Sequence, residues 1–299
     1  MMDGFLVINK PANMTSYDVI RKLKKLLPRK TKIGHLGTLD PMVTGVLPIA
    51  VGNATKIIPF IEDETKEYVA TLTLGGHSDT EDAWGNITYS YDFAVNEEQI
   101  IDVINSMVGE IEQTPPMYSA IHHEGKKLYE LARQGITIER ASRKVNIYEI
   151  EIININLNVK LPRVEFRVLC SKGTYIRTLC KDIGEKLGIG GYLSSLVRTK
   201  SGVFAINQSQ KLKDIIEYAD FMDKYKLPLD YPILDWPIYQ LKNENEWFAI
   251  INGNTINIEL GEKLPLGHIR IYYNNFLIAL AKVVEEGLAI KPVRVFNTV

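Results

Sequence analysis

The residue best placed to do chemistry in this chain is Asp40, which lies in the segment GHLGTLDP of residues 34–41. Glycines and prolines surround it, because the sequence continues as TGVLP through residues 44–48. Glycine permits backbone conformations closed to other residues, and Pro41 biases the residue before it away from the helical region. A carboxylate on such a stiff, irregular path suits a nucleophile or a base. The alternative is a plain Asp-Pro turn, and only the other segments of the chain can distinguish the two interpretations.

Regular elements on either side are expected to hold this segment in place. A buried strand is predicted over residues 4–9, followed by a helix with apolar residues at helical spacing. Residues 66–74 alternate as a strand with Tyr68 on its apolar face. The turn SKGT at residues 171–174 leads into a helix that carries Arg177. These elements could bring the three side chains together.

The remaining pattern alternates strands with helices and ends in a β-rich module. Further strands are predicted over residues 47–51, 117–121, 145–156, 164–170 and 198–206, and helices over residues 15–27, 96–108 and 209–218. A proline-containing linker is followed by predicted β-structure over residues 247–251, 268–273, 276–284 and 289–296. Strands joined both by hairpin-length turns and by helices favour an α+β fold with a mixed sheet.

The composition is that of an ordinary globular protein. Its 299 residues, 45% hydrophobic and 24% charged, suffice for a large domain with a small one or for two medium domains. No apolar run approaches the roughly 20 residues of a membrane span, and the first residues lack the pattern of a signal peptide. Cys170 and Cys180 supply neither a disulfide framework nor a four-ligand metal set. We therefore expect a cytoplasmic, reduced and metal-free protein.

Positive charge is concentrated in three clusters, although the net charge is only −1. The first comprises Arg21, Lys22, Lys24, Lys25, Arg29, Lys30 and Lys32, the second Lys126, Lys127, Arg133, Arg140, Arg143 and Lys144, and the third Lys172, Arg177, Lys181, Lys186, Arg198 and Lys200. A solvated helix face is the alternative for any one cluster. Three clusters beside the special segments favour a surface that follows a phosphate backbone.

Several segments, taken in order, resemble those of RNA pseudouridine synthases, most closely the TruB family of bacterial tRNA pseudouridine-55 synthases. Besides the two segments around Asp40, they are DGF (3–5), NKP (9–11), KEY (66–68), PMYSA (116–120), GKKLY (125–129), ARQG (132–135) and CSKGTYIR (170–177). The match covers nearly all of residues 3–206, and residues 236–299 resemble the family's small RNA-binding PUA module. Leu36 and Thr38 stand where the family often has Thr and Ala.

The resemblance implies an α+β fold with a mixed, largely antiparallel central sheet, flanking helices and loops, and a small β-rich C-terminal domain. We expect a catalytic domain over residues 1–230, with an RNA-clamping insertion at about 122–144, and a PUA-like domain over residues 231–299. The implied activity is isomerisation of uridine 55 in the T arm of tRNA. The base is flipped out, detached at N1 and reattached through C5, and no cofactor is needed. We expect a monomer that requires no protein partner.

The resemblance also assigns the catalytic residues. Asp40 would be the nucleophile, and Arg177 would pair with it and keep it ionised. Tyr68 would stack on the uracil and take part in proton transfer. Which atom Asp40 attacks stays open.

Further residues are expected to bind the substrate. Tyr175 would pack beneath the acid or against the base, and Leu196 would line the apolar side of the pocket. His35 would lie against the target nucleotide or fill space left by extruded bases. Lys10 would either contact RNA or hold the structure.

Two other functions remain possible at this point. One is a guide-RNA-directed pseudouridine synthase, against which the match to the bacterial insertion at residues 125–135 argues. The other is a non-catalytic RNA-binding or tRNA-folding protein built on the same scaffold.

Overall fold

The computed structural model describes residues 3–91, 94–119, 121–123, 125–218, 223–258 and 263–296. Its strands are β1 (Gly4–Lys10), β2 (Ile33–His35), β3 (Thr44–Val51), β4 (Lys66–Leu74), β5 (Gly76–Ser78), β6 (Ile87–Tyr89), β7 (Gly109–Gln113), β8 (His122–His123), β9 (Lys126–Lys127), β10 (Arg143–Asn156), β11 (Arg163–Cys170), β12 (Gly191–Ser201), β13 (Phe204–Ala205), β14 (Gln210–Lys211), β15 (Ile238–Gln240), β16 (Ile256–Asn257), β17 (Gly267–Tyr273), β18 (Phe276–Val284) and β19 (Ala289–Val295). Its helices are α1 (Ser16–Lys24), α2 (Glu97–Asn105), α3 (Leu128–Ala132), α4 (Ile176–Lys186), α5 (Leu212–Glu217) and α6 (Glu244–Ile251). Among the residues described, no helix combines the length and the apolar character needed to cross a membrane.

A central sheet organises the larger part of the molecule. Its strand order is β14-β1-β3-β12-β4-β11-β10-β7, with β2 paired to β3 and β13 paired to β12. The β1–β14 and β3–β12 pairs are parallel and the other pairs are antiparallel. The prediction of an α+β fold with a mixed, largely antiparallel sheet is therefore confirmed.

One face of this sheet is buried under helices. Strand β4 shows the cause, because Tyr68, Ala70, Leu72 and Leu74 lie on the same face of the strand and all four are buried. They share a core with side chains of the three longer helices, including Val19, Leu23, Ile100, Ile104, Leu179 and Ile183. Each buried aliphatic side chain of this kind contributes about 1.5–3 kcal/mol to stability. This packing fixes β4 against α4, the elements that carry Tyr68 and Arg177.

The C-terminal module packs on the other face, beside β1. Its sheet has the order β15-β17-β18-β19-β16. Phe5, Val7 and Phe204 share a second core with Trp236 and Phe296 of the C-terminal part. The two sheets lie on either side of the predicted domain boundary at residues 230 and 231, which stays a prediction.

A buried ion pair connects the linker to the C-terminal sheet. Arg270 Nη1 lies 2.6 Å from Asp230 Oδ2, and Tyr272 donates its hydroxyl to the same oxygen. Arg270 also donates to the carbonyls of Trp236 and Leu234, so each of its three guanidinium nitrogens makes a hydrogen bond.

The prediction of β-structure over residues 247–251 is wrong, because this segment belongs to helix α6. Asn243 caps the helix by accepting a hydrogen bond from the Glu246 backbone N–H. The capping residue and the acidic first turn favour a helix, and they outweigh the aromatic and β-branched content of the segment, which favours a strand.

Several strand boundaries also differ from the predictions. Strand β3 begins at Thr44, so part of the expected loop is a strand, and the irregular portion is residues 36–43. Strand β12 begins at Gly191, well before the predicted start at residue 198. Residues 117–119 form bends rather than a strand, and Ala120 lies outside the described residues. Gly45 and Gly191 favour loops, but backbone pairing of β3 with β1 and of β12 with β4 holds both glycines in strands.

Candidate active site

A cavity of about 410 Å³ opens between the segment around Asp40, strand β4, the start of α4 and strand β12. The predicted site residues that line it are His35, Asp40, Tyr68, Tyr175, Arg177 and Leu196. Its volume lies within the range of about 300–1,000 Å³ that is usual for small-molecule sites. The structure thus brings together six side chains that are scattered over 162 positions of the sequence (196 − 35 + 1).

Asp40 forms an ion pair with Arg177 at the wall of this cavity. Arg177 Nη2 lies 2.9 Å from Asp40 Oδ2; the arginine side chain is 4% exposed and the aspartate side chain 41% exposed. Arg177 also donates from Nη2 to the Tyr118 carbonyl at 2.7 Å and from Nη1 to the Thr80 carbonyl at 3.2 Å. Its Nη1 lies 3.9 Å from a carboxylate oxygen of Asp82. A surface position for Arg177 is therefore excluded, and the buried cation holds an accessible carboxylate.

The backbone on either side of Asp40 is held from beneath. Ser16, the first residue of α1, accepts a hydrogen bond from the Leu39 N–H at 2.8 Å and donates to the Leu39 carbonyl at 3.1 Å. Lys10 donates to the carbonyls of Met14 at 2.6 Å and Pro41 at 3.3 Å. Lys10 is fully buried, and its burial lowers its pKa to about 8 although the Asp40 charge opposes the shift. These contacts favour the structural role of Lys10 over an RNA contact.

Arg198 is a second buried arginine that supports the loop. Its side chain is 1% exposed and donates to the carbonyls of Val46 at 2.7 Å and Gly37 at 2.9 Å. Gly45 allows the backbones of β3 and β12 to lie close together at Arg198. Its φ is +101°, and a Cβ there would lie 2.2 Å from the Arg198 carbonyl oxygen. The sequence placed Arg198 in a surface cluster. That interpretation is wrong, because the parallel pairing of β3 with β12 buries it.

Tyr68 and Arg198 are cross-strand partners in the β4–β12 register. Burial raises the pKa of the Tyr68 phenol, the Arg198 charge opposes the shift and the Asp40 charge adds to it. The phenol therefore stays protonated at neutral pH and can donate a hydrogen bond or a proton. Leu196, paired with Ala70 two residues away, adds an apolar surface beside the tyrosine.

Tyr175 is positioned through its backbone. Gln113 at the end of β7 accepts a hydrogen bond from the Tyr175 N–H at 3.0 Å and donates to its carbonyl at 3.2 Å. The Arg143 guanidinium lies 4.9 Å from the centre of the Tyr175 ring, within the range of a cation–π contact. This arrangement orients the ring towards the cavity it lines.

His35 and Lys66 bring two further titratable groups to the cavity. Burial, with the Arg198 charge adding to it, lowers the pKa of His35, so the imidazole is neutral at pH 7. The same two causes lower the pKa of Lys66 to about 8. Lys66 Nζ donates to the backbone carbonyls of Glu64 and Thr65. Lys66 was not predicted as a site residue, although it precedes Tyr68 by two positions on the same face of β4.

The three basic clusters have different surroundings. Every basic residue of the first cluster is exposed, and α1, which carries part of it, packs against β2, next to the segment that carries Asp40. In the second cluster Lys126 and Arg133 are exposed, whereas Arg143 is half-buried. The third cluster is not one surface, since Arg177 and Arg198 are buried. The first cluster is thus the strongest candidate for contact with a polyanion.

Two family models match the chain. The N-terminal domain of the TruB family pseudouridylate synthases matches residues 24–176, and the C-terminal domain of tRNA pseudouridylate synthase B matches residues 177–234.

Curated relatives share most of the length of the chain. A protein of Syntrophomonas wolfei named tRNA pseudouridine synthase B is 54% identical over 99% of both chains. Proteins of the same name from Clostridium acetobutylicum and Clostridium tetani are 52% and 44% identical, each over 97% of this chain and 98% of the relative.

Solved structures show the same fold. An H/ACA RNP bound to a substrate RNA containing 2'-deoxyuridine includes a chain that superposes with a TM-score of 0.70 at 26% identity, covering 99% of this chain and 85% of that one. A chain of a Cbf5-Nop10-Gar1 complex gives a TM-score of 0.70 at 28% identity, covering 98% of this chain and 84% of that one.

Proposed function

The chain belongs to the TruB family of pseudouridylate synthases, and from this premise we propose that it isomerises uridine 55 in the T arm of tRNA, with Asp40 as the nucleophile and without a cofactor. It is an isomerase that forms pseudouridine in tRNA, as its relatives' shared name implies. The single observation that carries the residue-level proposal is the Asp40–Arg177 pair, an accessible carboxylate fixed by a buried cation at the wall of a nucleotide-sized cavity.

The chemistry suits this pair. Cleavage of a glycosidic bond develops positive charge at the sugar, which a carboxylate can stabilise or trap covalently. Arg177 holds one carboxylate oxygen of Asp40 through a charge-assisted hydrogen bond, and the aspartate lines the cavity. Attack on the ribose, attack on the base, and assistance to the loss of a sugar proton are all compatible with this geometry. The isomerisation adds and removes no group, so its atoms balance without a co-reactant.

The other lining residues have roles that follow from their surroundings. Tyr68 offers an aromatic face for the uracil and a protonated phenol for proton transfer. Leu196 and Tyr175 complete an apolar slot in which the base can be held. His35, a neutral imidazole at the edge of β2, would lie against the target nucleotide or take space left by extruded bases. A base in a folded arm must be flipped out to reach this slot.

The proposal extends to the complex with RNA. The exposed cations on and after α1, together with the insertion at about residues 122–144, would follow the phosphate backbone of the T arm. We propose that the protein acts in the cytoplasm as a monomer without a protein partner. The structural relatives belong to multi-component H/ACA complexes. Relatives with 44–54% identity carry the tRNA name instead, which favours a tRNA substrate over a guide-directed one.

The test maps the modified position in a tRNA transcript. The transcript is incubated with the protein, treated with a carbodiimide that labels pseudouridine, and reverse-transcribed. Matched controls are the Asp40→Asn variant and a transcript with cytidine at position 55. We expect one strong stop for position 55, only with the wild-type protein and the uridine transcript. A stop at another uridine would overturn the assignment of position 55. A stop for position 55 that persists with Asp40→Asn would overturn the assignment of Asp40 as the nucleophile.

A further inference from the structure

Ser119 lines the cavity and carries a buried hydroxyl. The residue is 4% exposed, and its Oγ has no hydrogen-bond partner among the described residues. Buried polar atoms are almost always paired, because an unpaired one loses its bonds to water without replacement. An alanine would fill nearly the same space without this loss of stability. Packing alone therefore gives no reason for a serine here, whereas a hydroxyl that bonds to a bound ligand does.

The backbone around this hydroxyl is fixed on both sides. The carbonyl of the preceding residue, Tyr118, accepts a hydrogen bond from Arg177 Nη2 at 2.7 Å. The Ser119 carbonyl accepts one from the Tyr129 N–H at 3.1 Å, which ties it to α3. The backbone that carries the hydroxyl is thus held in place beside the cavity, which lowers the cost of binding a partner there.

The same nitrogen of Arg177 that binds the Tyr118 carbonyl also pairs with Asp40. Arg177 Nη2 thus links the Tyr118 carbonyl to Asp40, and Ser119 is the residue next to Tyr118. A nucleotide whose glycosidic bond lies at Asp40 would present two polar atoms beside that bond, the ribose 2'-hydroxyl and the uracil O2. A serine hydroxyl can donate to either atom.

We propose that Ser119 Oγ donates a hydrogen bond to the target nucleotide beside its glycosidic bond and so positions the nucleotide for Asp40. This inference rests on the proposed function, since it takes the cavity as the site of the flipped uridine. Ser119 is then a substrate-contacting residue that holds the reacting bond in place. Its contribution appears only when the nucleotide is seated, because the many phosphate contacts of a whole tRNA are made elsewhere.

The test compares Ser119→Ala with a matched control, Ser194→Ala. Ser194 lies on β12 outside the cavity and donates to the Thr71 carbonyl at 3.0 Å. For Ser119→Ala we expect a single-turnover rate about tenfold lower, a tRNA dissociation constant within about twofold of wild type, and an unchanged or higher melting temperature. For Ser194→Ala we expect the wild-type rate and a lower melting temperature. Ser119→Cys, with a weak donor of similar size, should be intermediate in rate.

Modified substrates identify the partner atom. The wild type and Ser119→Ala are compared on RNAs with 2'-deoxyuridine or 2-thiouridine at the target position. On the RNA that lacks the partner atom, Ser119→Ala should cause no further loss of rate. An undiminished tenfold loss on both RNAs would overturn the inference, as would a wild-type rate for Ser119→Ala on ordinary RNA.

Failure of the proposed function has a different signature. If the wild-type protein modifies no uridine, the proposed function and this inference fall together. If the wild type is active, two results overturn only the role of Ser119. One is a wild-type rate for Ser119→Ala, and the other is a lower rate accompanied by a lower melting temperature.

Discussion

Arg177 Nη2 lies 2.9 Å from Asp40 Oδ2, yet the arginine side chain is 4% exposed and the aspartate side chain 41% exposed. The asymmetry follows from the bonds that each group makes. Arg177 is anchored in the interior by the carbonyls of Thr80 and Tyr118, with Asp82 nearby. Asp40 sits on the irregular segment of residues 36–43 and lines the cavity. Burial of the Arg177 cation costs desolvation free energy, and the buried cation orients the accessible Asp40 carboxylate.

Replacement of Arg177 by lysine should therefore impair catalysis although the charge is kept. A lysine presents a single nitrogen and cannot reach Asp40, Tyr118 and Thr80 in the arginine's fork geometry. We expect the single-turnover rate of pseudouridine formation to fall about 100-fold or more, as a misplaced reacting group does. Arg163→Lys, at an exposed arginine on β11, is the control and should keep the wild-type rate. A fully active Arg177→Lys enzyme would contradict the orienting role.

Gly45→Ala should disturb the segment that carries Asp40 from its C-terminal side. Gly45 has φ of +101°, and an added Cβ would meet the Arg198 backbone at 2.2 Å. We expect the free energy of unfolding to fall by on the order of 3 kcal/mol, together with a loss of activity.

Gly34→Ala is the matched control, since within the described part of the chain nothing lies within 4 Å of a Cβ at that position. Its effect on the free energy of unfolding should stay within about 0.5 kcal/mol. Urea denaturation of both variants measures the difference. Equal stabilities would show that the close approach of β3 to Arg198 does not constrain the loop.

The affinity for tRNA should fall as salt rises, because phosphate contacts release counterions. Alanine at Lys22 and Lys25, both exposed in the first cluster, should weaken binding and reduce the slope of log Kd against log salt by up to about one per lost contact. Lys186→Ala, at the far end of α4, should leave the slope unchanged. Filter binding at several salt concentrations gives the slopes. A dissociation constant indifferent to salt would remove this surface from the proposal.

Asp182 on α4 should make stability depend on pH. Partial burial, with the Glu185 and Glu81 charges adding to it and Lys181 opposing it, raises the pKa of Asp182 to about 6. Because the folded-state pKa exceeds the unfolded one, the stability linked to this group is present at low pH and lost as pH rises through 6. Asp182→Asn should therefore raise the free energy of unfolding by about 1 kcal/mol above pH 6, after allowance for solvent screening, and by less at pH 4.

Urea denaturation at pH 4.5 and pH 7.5 checks this difference. Asp102→Asn, at an exposed aspartate on α2, is the control and should show no comparable gain at the higher pH. A constant offset between Asp182→Asn and wild type at both values would contradict the assigned titration.

The sequence could predict which of the candidate site residues meet at the cavity, but not the residues that support them. Asp40, Tyr68 and Arg177 stand in segments that resemble a family, and alternation along β4 put Tyr68 on a buried face. Arg198 was misplaced because a basic residue among other charges resembles a solvated one. Its burial depends on β3 and β12 pairing across some 150 positions, which no local pattern reports.

Local patterns also failed where two signals competed. Residues 247–251 are rich in aromatic and β-branched side chains, but the Asn243 cap and tertiary packing make them helical. Ser119 lay within a matched segment, and its unpaired hydroxyl appears only once the surrounding residues are in place. Burial and pairing of single polar atoms are properties of the packed chain, so a sequence pattern cannot supply them.

The most direct test of the central claim is the release of tritium from tRNA labelled at C5 of its uracils, with wild-type protein and with Asp40→Asn. Reattachment of the base through C5 expels the hydrogen at that carbon, so release reports the isomerisation itself. Asp40→Asn keeps the size of the side chain and should still bind tRNA, because the phosphate contacts are made elsewhere. We expect one equivalent of tritium per tRNA from the wild type and none from the variant. Equal release from both proteins would contradict the assignment of Asp40 as the nucleophile.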